Sequence, residues 1–416
     1  MENVTCPFCG LACDDLSVSV AGPHLEVRAA SCPLAERGFA AGGPAEPRVR
    51  GKAASLEQAA GEAARLLAKA RSPVVAGLGT DLAGARALLD LADRCGAVVD
   101  HMNSRAKLRN LLVLQDGGWI TTTLSEVRNR ADLVVLAGTG VTARFPRFFE
   151  RCVWNRETLY SEGPPKREIV YLGRGLDTAA GVSPEGKKPT VIECDTARLG
   201  DAFAVLRALL AGQPLQCPEA AGVPLDTWRG LLEKMKGAAY GVVVWAAPDL
   251  DFPHAELAVQ TLCELIKDLN RHTRFSGVPL GGSDGDFTAN GVQMWQTGFP
   301  IRSRYAKAGP DYDPQLFSAE RMLAAGEADA LLWVSSFDER RIPPESGVPA
   351  VVLGRAGMKL PREPEVFIPV GTPGLDHAGH FFRSDKVVAL PLRRLREPVA
   401  PSVEQVAAAI AAAWPA

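Results

Sequence analysis

From residue 55 onward, short unbroken apolar runs alternate with Ala- and Leu-rich segments of helical period. Residues 55–69 predict a helix, with Ser55 as N-cap and Glu57 in its first turn. Residues 73–79 (PVVAGLG) predict a strand that ends in glycines. Residues 82–95 predict the next helix, closed by Gly96, and residues 97–100 the next strand. Residues 131–138 (ADLVVLAG) form another buried strand ending in glycine. Further strands are expected at 168–172, 190–194, 241–246, 330–335, 350–353 and 366–368, with helices at 202–210, 256–269 and 402–413. Continuous apolar strands separated by helices predict an α/β fold with doubly wound parallel sheets.

The first 45 residues differ. Residues 15–20 alternate polar and apolar, as a half-buried strand does, and residues 42–47 (GGPAEP) read as a linker. The domains expected are therefore a small unit at 1–45, an α/β domain at 46–150 plus about 321–390, an inserted α/β domain at 151–320, and a tail with a helix at 391–416. No repeat of solenoid period is present. The 416 residues carry a formal charge of −2, with a pI near 6.4, which gives no electrostatic case for nucleic acid or an anionic membrane surface. No apolar run reaches the roughly 20 residues that span a bilayer, and the N-terminus lacks a basic and an apolar leader region. A cytoplasmic location is expected.

The candidate chemistry lies in that first unit. Cys6, Cys9 and Cys13 follow a CxxCxxxC spacing, and Cys32 precedes a proline after a gap of eighteen residues. Clustered thiolates hold soft metal centres, so these four are candidate ligands of a 4Fe–4S cluster or a structural zinc. Pro7 and Gly10 shape a tight loop between the first three. Paired disulfides fit poorly with a long Ala- and Leu-rich chain that has no secretory signal. Cys95, Cys152, Cys194, Cys217 and Cys263 are scattered and are read as buried small hydrophobes.

Other constellations are weaker. Residues 281–286 (GGSDGD) lack a lysine and a strand–loop–helix setting, so a plain turn is expected there. Gly77 and Gly79 half-match a dinucleotide fingerprint without its third glycine. His377 and His380 beside Asp376 fit a loop better than a metal pair on a helix. Arg105, Lys107 and Arg109 fit a solvated face or an intersubunit salt bridge better than a site for an anionic ligand.

Several stretches carry a wider resemblance. They are residues 6–15 (CPFCGLACDD), Leu114-Gln115-Asp116, residues 123–132 (TLSEVRNRAD), Gly291-Val292, residues 295–300 (WQTGFP) and residues 382–385 (FRSD). Together they resemble the B subunit of formylmethanofuran dehydrogenase, within the molybdopterin oxidoreductase superfamily, over nearly the whole chain. The resemblance implies a 4Fe–4S cluster on the four N-terminal cysteines. It also implies α/β domains that cradle a pterin guanine dinucleotide carrying tungsten or molybdenum, with a cysteine or selenocysteine on the metal. That residue sits in a Cys-His-Gly-Pro run roughly nine residues before the Leu-Gln-Asp stretch.

Counting back from Gln115 puts Ala106 at the ligand position and Lys107 at the adjacent histidine. A methyl group has no donor, and a lysine is protonated at neutral pH. Residues 103–110 hold no Cys, His, Asp or Glu, and His101 is the nearest potential donor, read as a structural hydrogen-bonding residue. The departure points to the formyltransferase/hydrolase complex of formaldehyde-oxidising methylotrophic bacteria, which is built from homologues of the dehydrogenase subunits. In that complex the homologue of the B subunit needs no redox step. The chain is therefore expected to be a non-catalytic structural subunit, without pterin, tungsten or molybdenum, partnered by formyltransferase, amidohydrolase and further subunits in one-carbon metabolism. The alternatives are a working tungsten or molybdenum dehydrogenase subunit and a stand-alone binding protein with a structural zinc. Whether side chains such as Trp295 and Phe299 fill the pterin cavity stays open.

Overall fold

The structure is a computed structural model and describes residues 1–28, 32–159 and 162–415. It begins with a hairpin, β1 (Val18–Ala21) and β2 (His24–Val27), then α1 (Pro33–Ala40) and a short ladder, β3 (Arg48–Val49) and β4 (Lys52–Ala53). Next come α2 (Leu56–Lys69), β5 (Pro73–Gly79), α3 (Leu82–Cys95), β6 (Val98–Val99) and α4 (Ser104–Asp116). They are followed by α5 (Leu124–Arg130), β7 (Leu133–Ala137), β8 (Glu168–Leu172), β9 (Thr190–Ile192) and α6 (Leu199–Leu210). A small ladder, β10 (Glu219–Ala220) and β11 (Val223–Pro224), leads to α7 (Leu225–Gly237), β12 (Gly241–Ala246), α8 (Ala255–Leu269) and β13 (Phe275–Leu280). Then come α9 (Asp286–Thr297), β14 (Ser303–Ala306), β15 (Gly309–Tyr312), α10 (Ala319–Ala324) and β16 (Ala330–Ser335). The chain ends with β17 (Ala350–Gly354), β18 (Val366–Pro369), β19 (Gly379–Phe382), β20 (Ala389–Leu392) and α11 (Val403–Ala412).

The chain forms two compact units. One comprises Met1–Ser104 and Gly282–Ala416, the other Arg105–Gly281. The sequence had placed the insertion at 151–320. β7 belongs to the inserted unit because it pairs in parallel with both β12 and β8, and β14 belongs to the first because it pairs with β6.

The first unit has a nine-stranded sheet in the order β15-β14-β6-β5-β16-β17-β18-β3-β4. Its centre is parallel and its edges are antiparallel, so the sheet is mixed. Two-residue periodicity sorts the side chains of these strands. Val75, Leu332, Val334, Val351, Leu353, Val366 and Ile368 pack with α2, α3 and α11. Val74, Leu331, Trp333, Val352 and Phe367 face the other way, onto α10 and Met358. Ser55 and Gln58 form a reciprocal capping box at the start of α2, as do Ser402 and Gln405 at α11.

The inserted unit has a parallel sheet in the order β13-β12-β7-β8-β9. Leu133, Val135, Val170, Val243 and Trp245 pack against α6, α7 and α8. The Trp245 indole N–H donates to Asn110 Oδ1 at 2.9 Å, which satisfies its polar end inside the core. Among the described residues no helix is long and apolar enough to cross a membrane.

Candidate functional site

The four N-terminal cysteines are all buried. The Cys6 amide donates to the Cys13 carbonyl at 2.8 Å and Ala12 N–H donates to Cys9 at 3.1 Å, so the loop turns back on itself with Ala12 at φ 46°. Cys32 stands at the N-cap of α1, ahead of Pro33, and its carbonyl accepts from Glu36 N–H at 2.9 Å. Burial pushes the Cys6 thiol well above its ordinary value, and the charges of Cys9, Cys13 and Cys32 push it further. Cys9 is raised in the same way, by burial first and then by Cys13. Cys6 and Cys9 thus each feel the charges of Cys13 and Cys32. Among the described residues no cysteine pairs in a disulfide. Among the described residues, no three Cys, His, Asp or Glu side chains already converge as a metal-binding group. Ionising Cys6 and Cys9 is favoured by a cation beside them, and thiolates are soft donors, so the donor chemistry fits either group named for it.

Sequence reading missed what holds this loop in place. Phe8 packs edge-on to Phe39 at 5.2 Å, and the buried Arg355 guanidinium lies 5.6 Å over the Phe8 ring. The same guanidinium donates to the carbonyls of Gly38 and Ala41 at 2.6 and 2.7 Å and to Phe337 at 3.1 Å. Gly10 accepts from Ser384 N–H at 2.6 Å. An exposed-looking arginine in a loop gives no local signal of such a role.

Open α/β sheets bind ligands at the carboxyl ends of their strands, where the strand order reverses. In the first unit that point lies between β5 and β16. Gly77 sits there at φ 80°, and a Cβ on it would lie 2.5 Å from the Val334 carbonyl oxygen, so only glycine fits. The half-matched fingerprint at Gly77 and Gly79 is thus a close strand-to-strand approach. The Ser336 amide and hydroxyl both donate to the Gly79 carbonyl, at 2.7 and 2.8 Å.

Residues 282–286 cover the next turn. A Cβ on Gly285 would lie 2.5 Å from the Thr80 carbonyl oxygen, so this loop presses directly on the end of β5. The segment follows β13 and precedes α9. The strand–loop–helix setting that sequence reading found lacking is therefore present, obscured because α9 is rich in polar residues. His101 is buried, and its Nδ1 accepts from Asn103 N–H at 3.0 Å. The proton is therefore on Nε2, which donates to the Asp284 carbonyl at 3.1 Å. Asn103 donates to the Ser283 carbonyl at 3.0 Å, and Arg341 Nε lies 3.3 Å from the Asp284 carboxylate. Burial pushes that carboxyl up, against the opposing pull of Arg341 and Asn103.

In the inserted unit the order reverses between β7 and β12. Asp249 closes this point, accepting from Thr139 Oγ1 and from Arg144 Nε, each at 2.6 Å. Arg109 donates to the Ala247 carbonyl at 2.7 Å and pairs with Asp251. Arg109 is thus engaged within the chain itself. Ala106 and Lys107 lie in the first two turns of α4, a helix that sequence reading did not assign.

The remaining candidates separate. Asp376 forms a buried ion pair with Arg396 at 2.8 Å, while His377 and His380 occupy a loop and the strand β19. Trp295 is 64% exposed and Phe299 is 38% exposed, so neither is a core-filling side chain. Cys152, Cys194 and Cys263 are buried as expected, whereas Cys95 is half-buried and Cys217 is exposed. Cys217 falls in the proline-flanked loop after α6.

Chain-wide comparison places this two-unit α/β protein. No family profile matches the chain. It is 28% identical over 416 aligned residues to the B subunit of the tungsten-containing formylmethanofuran dehydrogenase 2 of Methanocaldococcus jannaschii, covering 96% of this chain and 94% of that protein. It is 30% identical over 342 residues to the B subunit of the formyltransferase/hydrolase complex Fhc of Methylorubrum extorquens, covering 80% and 86%. A chain in the crystal structure of the M. extorquens formyltransferase/hydrolase complex, solved with methylofuran, superposes with a TM-score of 0.73 at 27% identity, covering 88% and 97%. The chain belongs to the family of formylmethanofuran dehydrogenase B subunits, which includes the B subunits of Fhc complexes.

Proposed function

We propose that this chain is the non-redox, structural B subunit of a formyltransferase/hydrolase-type complex in one-carbon metabolism. The observation that carries the reading is Ala106-Lys107, which stands where the family resemblance puts a metal-ligating cysteine and its histidine. Neither side chain is a soft donor at neutral pH. Contacts among the chain's own residues at the two strand ends are in keeping with the same reading. His101, Asn103 and Arg341 tie the 282–286 loop over β5, and Asp249 bridges Thr139 and Arg144 at β7. These residues do not fit a pterin-borne metal, so no redox step is assigned to them. Formyltransferase and amidohydrolase subunits are the partners this role requires, in keeping with the complex from which the structural relative comes.

Cys6, Cys9, Cys13 and Cys32 are proposed as ligands of a 4Fe–4S cluster or a zinc ion. A cluster would supply electron relay and zinc a rigid tetrahedral tie. A second reading, a working tungsten enzyme, draws on the relative of that description that aligns with 96% of this chain. Purifying the protein with its natural partners and measuring metals and pterin on one sample separates the two. Absence of tungsten, molybdenum and pterin is the expected result. Stoichiometric tungsten or molybdenum with bound pterin would overturn the proposal.

A further inference from the structure

Arg355 follows β17 and is 2% exposed, yet its guanidinium reaches the cysteine unit. Nη2 donates to the Gly38 and Ala41 carbonyls at the end of α1, at 2.6 and 2.7 Å. Carbonyls at a helix end have no partner within the helix and need such donors. Nη1 donates to the Phe337 carbonyl, beyond the end of β16. The ion pair with Glu339 is loose, at 3.8 Å, so the guanidinium serves the main chain first.

The same group covers the ring of Phe8, which stands between Cys6 and Cys9. That ring lies directly on α1. A Cβ on Gly38 would fall 2.5 Å from it, so the helix comes this close only through glycine. Cys32 heads α1, and its amide donates to Glu36 Oε1 at 3.2 Å inside the helix. Arg355 and Gly38 therefore fix the loop that carries Cys6, Cys9 and Cys13 against the helix that carries Cys32. Metal affinity depends on the groups that orient the ligands as well as on the ligands.

We propose that Arg355 is a positioning residue for a metal held by Cys6, Cys9, Cys13 and Cys32, acting through Phe8 and α1. The inference rests on the metal role proposed above for these cysteines. It is tested on the full chain as purified, by timing release of its iron to a ferrous chelator or its zinc to a chromophoric one, beside the unfolding temperature. Arg355→Met should release metal about tenfold faster than the parent protein. Arg355→Lys keeps the charge without the fork, and should release it nearly as fast as Arg355→Met. Gly38→Ala leaves Arg355 in place and carries the test where the Arg355 variants do not fold. It should also speed release, although alanine is the better helix former, because its Cβ displaces the Phe8 ring. Arg302→Met removes another buried guanidinium of the same unit, one held by Asp100 and the Pro314 carbonyl. It should lower the unfolding temperature without speeding release. Unchanged release in Arg355→Met or Gly38→Ala, full rescue by lysine, or equally fast release in Arg302→Met would overturn the proposal. A parent protein without iron or zinc would instead remove the metal role itself, and this proposal with it.

Discussion

His101 and Asp284, 183 residues apart in the chain, share a hydrogen bond of 3.1 Å from imidazole Nε2 to the main-chain carbonyl. The bond ties the turn after β6 to the loop before α9, both in the first unit. His101→Ala would leave that carbonyl and the Asn103 amide without their partner and open a cavity. The expected cost is about 2–4 kcal/mol, read by urea denaturation. An unchanged midpoint would mean that the loop holds its place without the bridge.

Asp81 gives a pH-dependent test. Its side chain caps α3 by accepting from Gly84 N–H at 3.1 Å, yet burial raises its carboxyl above 3.8, with the His377 charge pulling the other way. A raised native value means that the folded state binds more protons than the unfolded one in the window above 3.8. Stability from this group is therefore lost as pH rises through that window. Asp81→Asn keeps the cap and cannot ionise. The variant should gain on the wild type from pH 3.8 upward, and the two should converge below it, when unfolding is followed across pH. A constant gap at every pH would rule out this linkage.

Strands such as 73–79 and 241–246 were legible because burial on both faces leaves unbroken apolar runs. Helix α4 was not, because its sequence, SRAKLRNLLVLQD, mixes basic residues through the first turns and has no acidic start or apolar stripe. The β14–β15 hairpin was also missed: it is a sheet edge with Arg304, Lys307 and Asp311, polar where strand patterns are expected to be apolar. The tight turn that carries Cys6, Cys9 and Cys13 was legible from their spacing and from Pro7 and Gly10. The closures at the strand ends were not, since His101–Asp284 and Thr139–Asp249 join residues more than a hundred positions apart.

Arg396 and Asp376 form an ion pair with both side chains almost fully buried. Arg396 also donates to the Pro23 carbonyl at 2.7 Å, which links the β1–β2 turn to the C-terminal part of the first unit. Arg396→Met alone should cost about 3–5 kcal/mol, because it strands a buried carboxylate. Adding Asp376→Leu should recover part of the loss. Thermal unfolding of the two variants distinguishes a stranded charge, where the double variant is the more stable, from simple lost packing.

Thiol accessibility offers a direct check of the cysteine placements. Cys217 is exposed, while the other eight are buried or half-buried. A colorimetric thiol reagent should titrate one fast thiol in the native protein, and Cys217→Ser should abolish that phase. Fast reaction of three or four thiols instead would place the N-terminal cluster outside the core.

The N-terminal thiols themselves decide the proposed metal role. Cys6 and Cys9 are buried, and burial and the neighbouring cysteines push their thiols up, so a bound cation beside them would convert that penalty into folding free energy. Cys13→Ser should therefore remove most of the bound metal and lower the unfolding temperature. It should leave the sheet of the inserted unit, with its separate core, unaffected in hydrogen exchange. Metal analysis of the parent protein sets the reading: about four irons per chain indicate a cluster, and about one zinc a structural tie. Full retention of metal in Cys13→Ser, or no metal in the parent protein, would remove these cysteines from the ligand set and leave them as core residues.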